Sequence, residues 1–419
     1  MSNVPPSRPI ILQIIPALDA GGAERTVIEV AEAIVLAGGM ALVASEGGRL
    51  EGELGDAGGE LIRFPASAKN PLTVLANAHK LIRLIAERGV SLVHARSRAP
   101  AWSALLAARC SGVPFVTTYH GVYNQNSALK GWYNGVMARG DIVIANSCYT
   151  ADVVRARHHT PPDRLRIIYR GVDLAQFSPA VVKPERVAAL RARWGAPPEA
   201  RIVLLAARLT RWKGQQVAIG AASAILPRPE FGDVVFVFAG DDQGRTAYRD
   251  ALSARIAALG LAGRVLLPGH CEDMPAAFIT ASLAIVPSIE PEAFGRISAE
   301  AQAMGCPVAV SELGALPETM LASGNSQDHA VATGWTFPAG DETELAERIA
   351  KALLLPAGER AAMAEAARQH AAACFSKAAL QRQTLQVYDD LLNSRLSVVF
   401  GRNLTGNEDF MSTSHRIPL

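Results

Sequence analysis

Short, almost unbroken apolar runs alternate with longer segments of helical period along most of the chain, and this alternation restricts the fold more than any other feature. Ile10 to Ile15 reads as a buried strand. After a glycine-rich turn, Val27, Ile28, Val30, Ala31, Ile34 and Val35 recur at helical spacing between Ala23 and Leu36. The pattern repeats with Ala41 to Ser45, Leu61 to Phe64, a helix from Val74 to Arg88, Ser91 to His94, Val113 to Thr118 and Ile142 to Ala145. A second series follows, with runs at Ile202 to Ala206, Val234 to Ala239, Val265 to Leu267, Leu283 to Val286 and Pro307 to Ser311. Strands apolar on both faces need cover on both, which a parallel sheet flanked by helices supplies. The expected fold class is α/β, with two Rossmann-like doubly wound parallel-sheet domains in succession.

The boundary is expected between Asp173 and Glu185, where Pro179 and Pro184 interrupt regular structure. This gives an N-terminal domain over 1–178, a C-terminal domain over 186–375, a terminal helix over 376–395, and a polar tail over 401–419 with no helical or strand period, expected to be flexible. At 419 residues, 49% apolar and 19% charged, the chain can bury enough surface to offset its ordering entropy. A disordered chain and a small disulfide-stapled module are excluded. Lys plus Arg (41) against Asp plus Glu (39) leaves +2, so charge gives no reason to expect nucleic-acid binding. Through residue 175 there are 18 basic and 14 acidic residues, giving +4, and the remaining 23 and 25 give −2. A solvated surface and an anionic acceptor account equally well for so small an asymmetry.

Cys110, Cys148, Cys271, Cys306 and Cys374 stand singly, so neither a zinc site nor a disulfide framework is indicated, and they read as buried free thiols. Gln13 interrupts the first apolar run, and no window approaches the roughly 18 uncharged residues of a membrane span. The expected location is the cytoplasm.

Four loops carry candidate chemistry. Gly21 and Gly22 lie between a strand end and a helix start, serving either as a plain turn or as a close approach to an anion. Arg208 and Lys213 leave the strand Ile202 to Ala206 and enter a helix near Gly214, in the place where an open parallel sheet binds ligands; both can reach a diphosphate. Glu292 and Glu300 are eight residues apart, one in a loop and one just inside a helix. Either is a helix-start charge or an acceptor for vicinal hydroxyls, while the N–H groups from Phe294 to Ile297 suit an anion. His94 ends an apolar strand and reads as a hydrogen-bonded core residue. His120 lies beyond a strand end and reads as functional.

Taken in order, Arg208 with Lys213, Gly240-Asp241, Glu292 and Glu300-Ala-Gln-Ala-Met-Gly-Cys-Pro-Val308 resemble the retaining nucleotide-sugar glycosyltransferases of family 4. The likeness extends through Gly21-Gly22, His94, Thr118-Tyr-His-Gly121, Asn146-Ser147, Gly171-Val-Asp173, Gly314 to Glu318 and Phe375-Ser376 with Tyr388, covering residues 9 to 395. It implies the GT-B fold, two Rossmann-like domains facing across a cleft. It also implies that Arg208 and Lys213 bind the donor diphosphate, that Glu300 binds the ribose, and that Glu292 contacts the transferred sugar. Backbone groups of Phe294, Gly295 and Ile297 would help hold sugar and phosphate, His120 would meet the sugar from the other domain, and Gly22 would approach the phosphates. Gly240 belongs to the donor site, and the stretch around His270 would border the base.

The implied reaction is metal-independent transfer of a hexosyl unit, with retention, from a UDP- or GDP-linked sugar to a glycan or lipid-linked hydroxyl. It needs no cofactor beyond the co-substrate, and it suits lipopolysaccharide or other envelope polysaccharide synthesis with peripheral contact at the inner membrane face. A non-hydrolysing sugar-nucleotide epimerase and a silent nucleotide-sugar-binding protein share the architecture. Three positions depart from the family pattern: Ala293 replaces a glycine, Arg170 replaces an asparagine, and Arg296 stands at a position more often apolar.

Overall fold

A computed structural model describes residues 8–19, 21–123, 125–322 and 331–413, with side chains as far as 404. The chain forms two compact units. One comprises residues up to Gly171 together with those from Lys377 onward, and the other runs from Val172 to Ser376.

The first unit is built on seven strands: β1 (Ile10–Ile14), β2 (Met40–Ser45), β3 (Glu60–Arg63), β4 (Leu92–Ala95), β5 (Phe115–Tyr119), β6 (Ile142–Ala145) and β7 (Leu165–Ile167). Their order is β3-β2-β1-β4-β5-β6-β7, parallel throughout. The second unit has β8 (Arg201–Ala206), β9 (Val234–Ala239), β10 (Val265–Gly269), β11 (Ala281–Val286), β12 (Val308–Ser311) and β13 (Gly334–Phe337), ordered β10-β9-β8-β11-β12-β13 and again parallel. Both orders reverse beside the first strand of the unit. In such sheets the crevice beyond the carboxyl ends at the reversal is where ligands sit: between β1 and β4 in one unit, and between β8 and β11 in the other.

Each sheet is buried on both faces, as the apolar runs require. Val203, Leu205, Phe236, Phe238, Leu283 and Ile285 pack with helix residues such as Ile219, Ile225 and Ile349 in the second unit. In the first unit, Gln13 is a buried polar residue within β1. Its carbonyl accepts from Arg96 Nε (3.0 Å) and Nη2 (2.6 Å) and its amide donates to the Val27 carbonyl (3.0 Å), so the interruption in the apolar run holds a buried cation.

Several expectations change. The terminal helix, Lys377–Leu392, belongs to the first unit: Leu380, Leu385 and Tyr388 join its core, and Gln381 donates to the Glu29 carbonyl at 2.7 Å. The tail expected to be flexible from 401 is helical, within Leu396–Thr413, while residues 414–419 lie outside the described residues. Leu396 and Phe400 are buried in the first unit's core, and Asp389 accepts from the backbone N–H of Leu396 (2.7 Å) and Ser397 (2.9 Å). The helix start is thus capped from an earlier helix, a signal that short-range periodicity does not carry. The chain passes between units at Gly171–Val172 rather than beyond 178. Cys271 and Cys306 are buried free thiols as expected, but Cys110, Cys148 and Cys374 are exposed. The first two sit at the end and the start of their helices, on faces turned to solvent.

Candidate active site

In the second unit the loops after β8 and β11 are locked together by glycine. Gly214 adopts φ +74°, and a Cβ there would fall 1.7 Å from the Pro287 carbonyl oxygen. That approach lets Ile289 N–H donate to the Trp212 carbonyl at 2.8 Å. It carries the single turn Arg211–Lys213 against the loop leading to Glu292. As a result Lys213 Nζ donates to Glu292 Oε1 at 2.6 Å, with the two side chains only 13% and 11% exposed. Ser288 Oγ donates to the same carboxylate oxygen, and the ammonium also lies 4.2 Å from the Trp212 ring centroid. Two residues 79 positions apart therefore form one part-buried, hydrogen-bonded ion pair at the sheet's reversal point.

Gly240 plays the matching part between β8 and β9. A Cβ there would lie 1.7 Å from the Ala207 carbonyl oxygen, and Leu209 N–H donates to the Asp241 carbonyl at 3.0 Å. Arg208 leaves this junction exposed, with Nη1 3.4 Å from Gln243 Oε1, while its carbonyl accepts from Gln215 Nε2 at 2.9 Å. Arg208 and Lys213 thus stand on the same loop but in different settings, one in solvent and one part-buried against a carboxylate.

Gly295, at φ +109°, is the N-cap of the helix Arg296–Ala303. The loop before it is pinned by Ala315 N–H donating to the Glu292 carbonyl at 2.9 Å. Phe294 is buried and meets Phe375 edge-to-face at 5.5 Å between centroids, so its side chain packs inward and only its backbone can serve a ligand. Ile297 is half-buried in the first turn. Glu300 is buried and accepts from Arg296 Nε at 2.6 Å. Burial pushes its carboxyl above the usual range, and the neighbouring Arg296 guanidinium opposes that shift. The unusual Arg296 thus supplies the partner for a carboxylate that would otherwise be buried alone. His270 is exposed at the turn after β10, where Gly269 has φ +84°, and no contact ties it to the Lys213–Glu292 pair.

In the first unit Gly22 opens the 15-residue helix Gly22–Leu36. A Cβ there would fall 1.7 Å from Arg170 Nη1, so the missing side chain makes room for a guanidinium at a helix N-terminus. Both groups favour an anion. Arg170 Nη2 lies 3.5 Å from the His120 carbonyl, which Asn146 Nδ2 approaches at 3.4 Å. Neither ring nitrogen of His120 has a hydrogen-bond partner among the described residues. Burial, then the Arg170 and Arg96 charges, hold its pKa well below the ordinary imidazole value. The ring is neutral at pH 7 and offers one donor and one acceptor. His94 is the core residue the sequence indicated: Nδ1 meets Tyr388 OH at 2.7 Å and Nε2 meets Thr118 Oγ1 at 2.7 Å.

His94 is likewise held neutral, by burial first and then by Arg96 and His120. With folded pKa values depressed, the unfolded chain binds more protons below about pH 6.5, and stability present above that pH is lost as the pH falls. The expected loss between pH 7.5 and 5.5 is about 1.4 kcal/mol in total for each histidine. Thermal melts from pH 7.5 to 5.5 should show this fall, with a smaller slope in His94→Gln. A melting temperature that stays level or rises would contradict it.

Arg170 stood out in the sequence only as a departure from the family pattern, and Arg96 and Ser288 escaped notice as site-forming residues, although Arg96 stands two residues after His94 and so at the same strand period.

Two sequence profiles cover most of the chain. Glycosyltransferase Family 4 matches residues 20–176, and Glycosyl transferases group 1 matches residues 187–370. D-inositol 3-phosphate glycosyltransferase 1 of Catenulispora acidiphila is 31% identical over 298 residues, covering 67% of this chain and 68% of that relative. A glycosyltransferase from Rickettsia africae ESF-5 superposes with a TM-score of 0.83 at 32% identity, covering 92% of this chain and 99% of that one. The chain belongs to glycosyltransferase family 4. Its two units have the GT-B fold, which Anabaena Alr3699/HepE in complex with UDP-glucose shares at a TM-score of 0.76, 24% identity and coverage of 91% and 100%. The D-inositol 3-phosphate glycosyltransferase of Salinispora tropica is 33% identical over 242 residues, 56% of this chain, and the match spans 48% of that relative's length. Each unit is matched by its own profile, the first by Glycosyltransferase Family 4 and the second by Glycosyl transferases group 1. No helix among the described residues is long and apolar enough to cross a membrane.

Proposed function

We propose that this family 4 protein transfers a hexosyl unit from a nucleotide diphosphate sugar to a hydroxyl of a glycan or lipid-linked acceptor, with retention and without a metal. The observation that carries the reading is the part-buried Lys213–Glu292 pair beside the helix start at Gly295, at the reversal point of the second sheet. Glycosidic bond cleavage in the donor develops negative charge on the diphosphate. A fixed ammonium, the exposed Arg208 and a helix N-terminus are groups that lower the energy of that charge. Glu292 already holds Lys213 in place, so little reorganisation is needed when phosphate arrives. The same carboxylate, occupied by Lys213 and Ser288, is a poor nucleophile. Retention then follows from attack by the acceptor hydroxyl on the face the diphosphate leaves, with the departing phosphate oxygen taking the proton. Glu300 is assigned to the ribose hydroxyls and neutral His120 to hydroxyls of the transferred sugar.

Curated relatives named for D-inositol 3-phosphate and structural neighbours crystallised with UDP and UDP-glucose support a phosphorylated acceptor and a uridine carrier as the first to try. A thermal-shift panel of UDP, GDP and ADP tests the donor class. The matching nucleotide at 100 times its dissociation constant is expected to add about 2.7 kcal/mol of stability. No shift with any of the three at millimolar concentration would overturn the assignment.

A further inference from the structure

A recess in the first unit is lined by buried polar atoms that no described residue satisfies. Its walls include Arg96, Thr118, His120, Asn146, Arg170 and Thr384, all of this unit. The volume is about 10 Å³, room for about one water-sized group. Asn146 is 2% exposed, and its Oδ1 has no hydrogen-bond partner among the described residues. The same holds for both ring nitrogens of His120. An unmade hydrogen bond at a buried polar atom costs about 1–3 kcal/mol, so several such atoms around one opening point to a ligand that enters it.

The charges narrow the kind of ligand. Two guanidiniums, Arg96 and Arg170, line the recess, and its described lining holds no carboxylate. Arg96 is committed to Gln13 Oε1, and the carboxylate that acts on it is Glu29 on the first helix. Arg170 reaches in from another side. Its Nη2 lies 3.5 Å from the His120 carbonyl, and its Nη1 takes the space of the absent Gly22 side chain, at the positive end of a 15-residue helix. This charge comes from a position where the chain departs from the asparagine of the family pattern.

A guanidinium beside a helix N-terminus calls for an acceptor with negative charge. Asn146 Oδ1 calls for a donor, and neutral His120 can meet one of each. A diphosphate at neutral pH brings acceptors only, and a neutral hexose brings no charge. A sugar ring with a carboxylate beside its hydroxyls brings both.

We infer that the transferred sugar is a hexuronic acid, with Arg170 the specificity-determining residue that takes its carboxylate while His120 and Asn146 take a neighbouring hydroxyl. One oxygen fills the recess and the ring stays at its mouth. The inference rests on the donor reading above, in which His120 meets the transferred sugar, and names the class of that sugar.

Equilibrium binding to the full chain tests it, with UDP, UDP-glucose and UDP-glucuronic acid as one series and GDP, GDP-mannose and GDP-mannuronic acid as the other. The parent is expected to bind the hexuronate at least about tenfold more tightly than the matching hexose, the worth of one charge-assisted hydrogen bond. Arg170→Asn, which restores the family residue, should erase that preference and keep affinity for the bare nucleotide within about twofold of the parent. Arg170→Lys should retain part of the preference. A merely structural Arg170 would weaken all three ligands of a series together, and an Arg170 that serves the diphosphate would weaken the bare nucleotide as well. Either result overturns the inference, as does a parent that binds the neutral hexose as tightly as the hexuronate. If neither nucleotide series binds at all, the donor reading fails and the sugar class falls with it; nucleotide binding with no hexuronate preference removes the sugar class alone.

Discussion

Lys213→Ala is expected to lower kcat about a hundred- to a thousandfold, the usual loss when one preorganised charge is removed from a developing anion. The variant also leaves Glu292, 11% exposed, with the Ser288 hydroxyl as its remaining side-chain hydrogen-bond donor among the described residues. Removing one partner of a fully buried pair costs about 3–5 kcal/mol and of an exposed pair about 1 kcal/mol or less; this part-buried pair falls between, so loss of turnover and loss of fold need separating. Lys213→Ala with Glu292→Gln should recover most of the stability, because no uncompensated charge remains, and recover none of the turnover. If Lys213→Ala turns over within about threefold of the parent, the ammonium does not act on the leaving group. If the double variant regains activity, the pair matters only for folding.

The second large effect is expected from a single methyl group. In Gly214→Ala the new Cβ would stand 1.7 Å from the Pro287 carbonyl oxygen and 2.6 Å from its carbon, at φ +74°. Backbone on both sides leaves no side chain to swing aside, so the turn bearing Lys213 must lift from the loop bearing Glu292. A destabilisation of at least about 3 kcal/mol is expected, near 6–12 °C in melting temperature for a unit of this size. Turnover should fall with it. Gly195→Ala is the control: it shares the left-handed backbone at φ +68° but has nothing within 4 Å, so it should cost only about 1 kcal/mol. Similar melting temperatures for the two variants would show that conformation, not contact, decides the loss.

How far the chain could be read in advance follows from which forces are local. β6 and β9 fall on the expected residues because strands buried on both faces are continuous apolar runs, and burial writes that pattern directly into sequence. β7, Leu165–Ile167, and β13, Gly334–Phe337, lie at sheet edges and are three and four residues long. They contain Arg166 and Thr336, and a run that short and mixed carries no period. The site loops were visible as charged residues after strand ends. What joins Lys213 to Glu292, however, is the fit of Gly214 against Pro287, and a steric fit between distant loops leaves only an unremarkable glycine in the sequence.

The return of the C-terminal helices to the first unit bears on how this enzyme can be taken apart. The polypeptide crosses from one unit to the other at Gly171–Val172 and crosses back at Ser376–Lys377, so the first unit is written in two stretches of gene. A chimaera joined at a single point near residue 175 would pair Glu29 and His94 from one parent with Gln381 and Tyr388 from the other. Swapping specificity between relatives therefore calls for two junctions, with the final helices travelling alongside the opening strands.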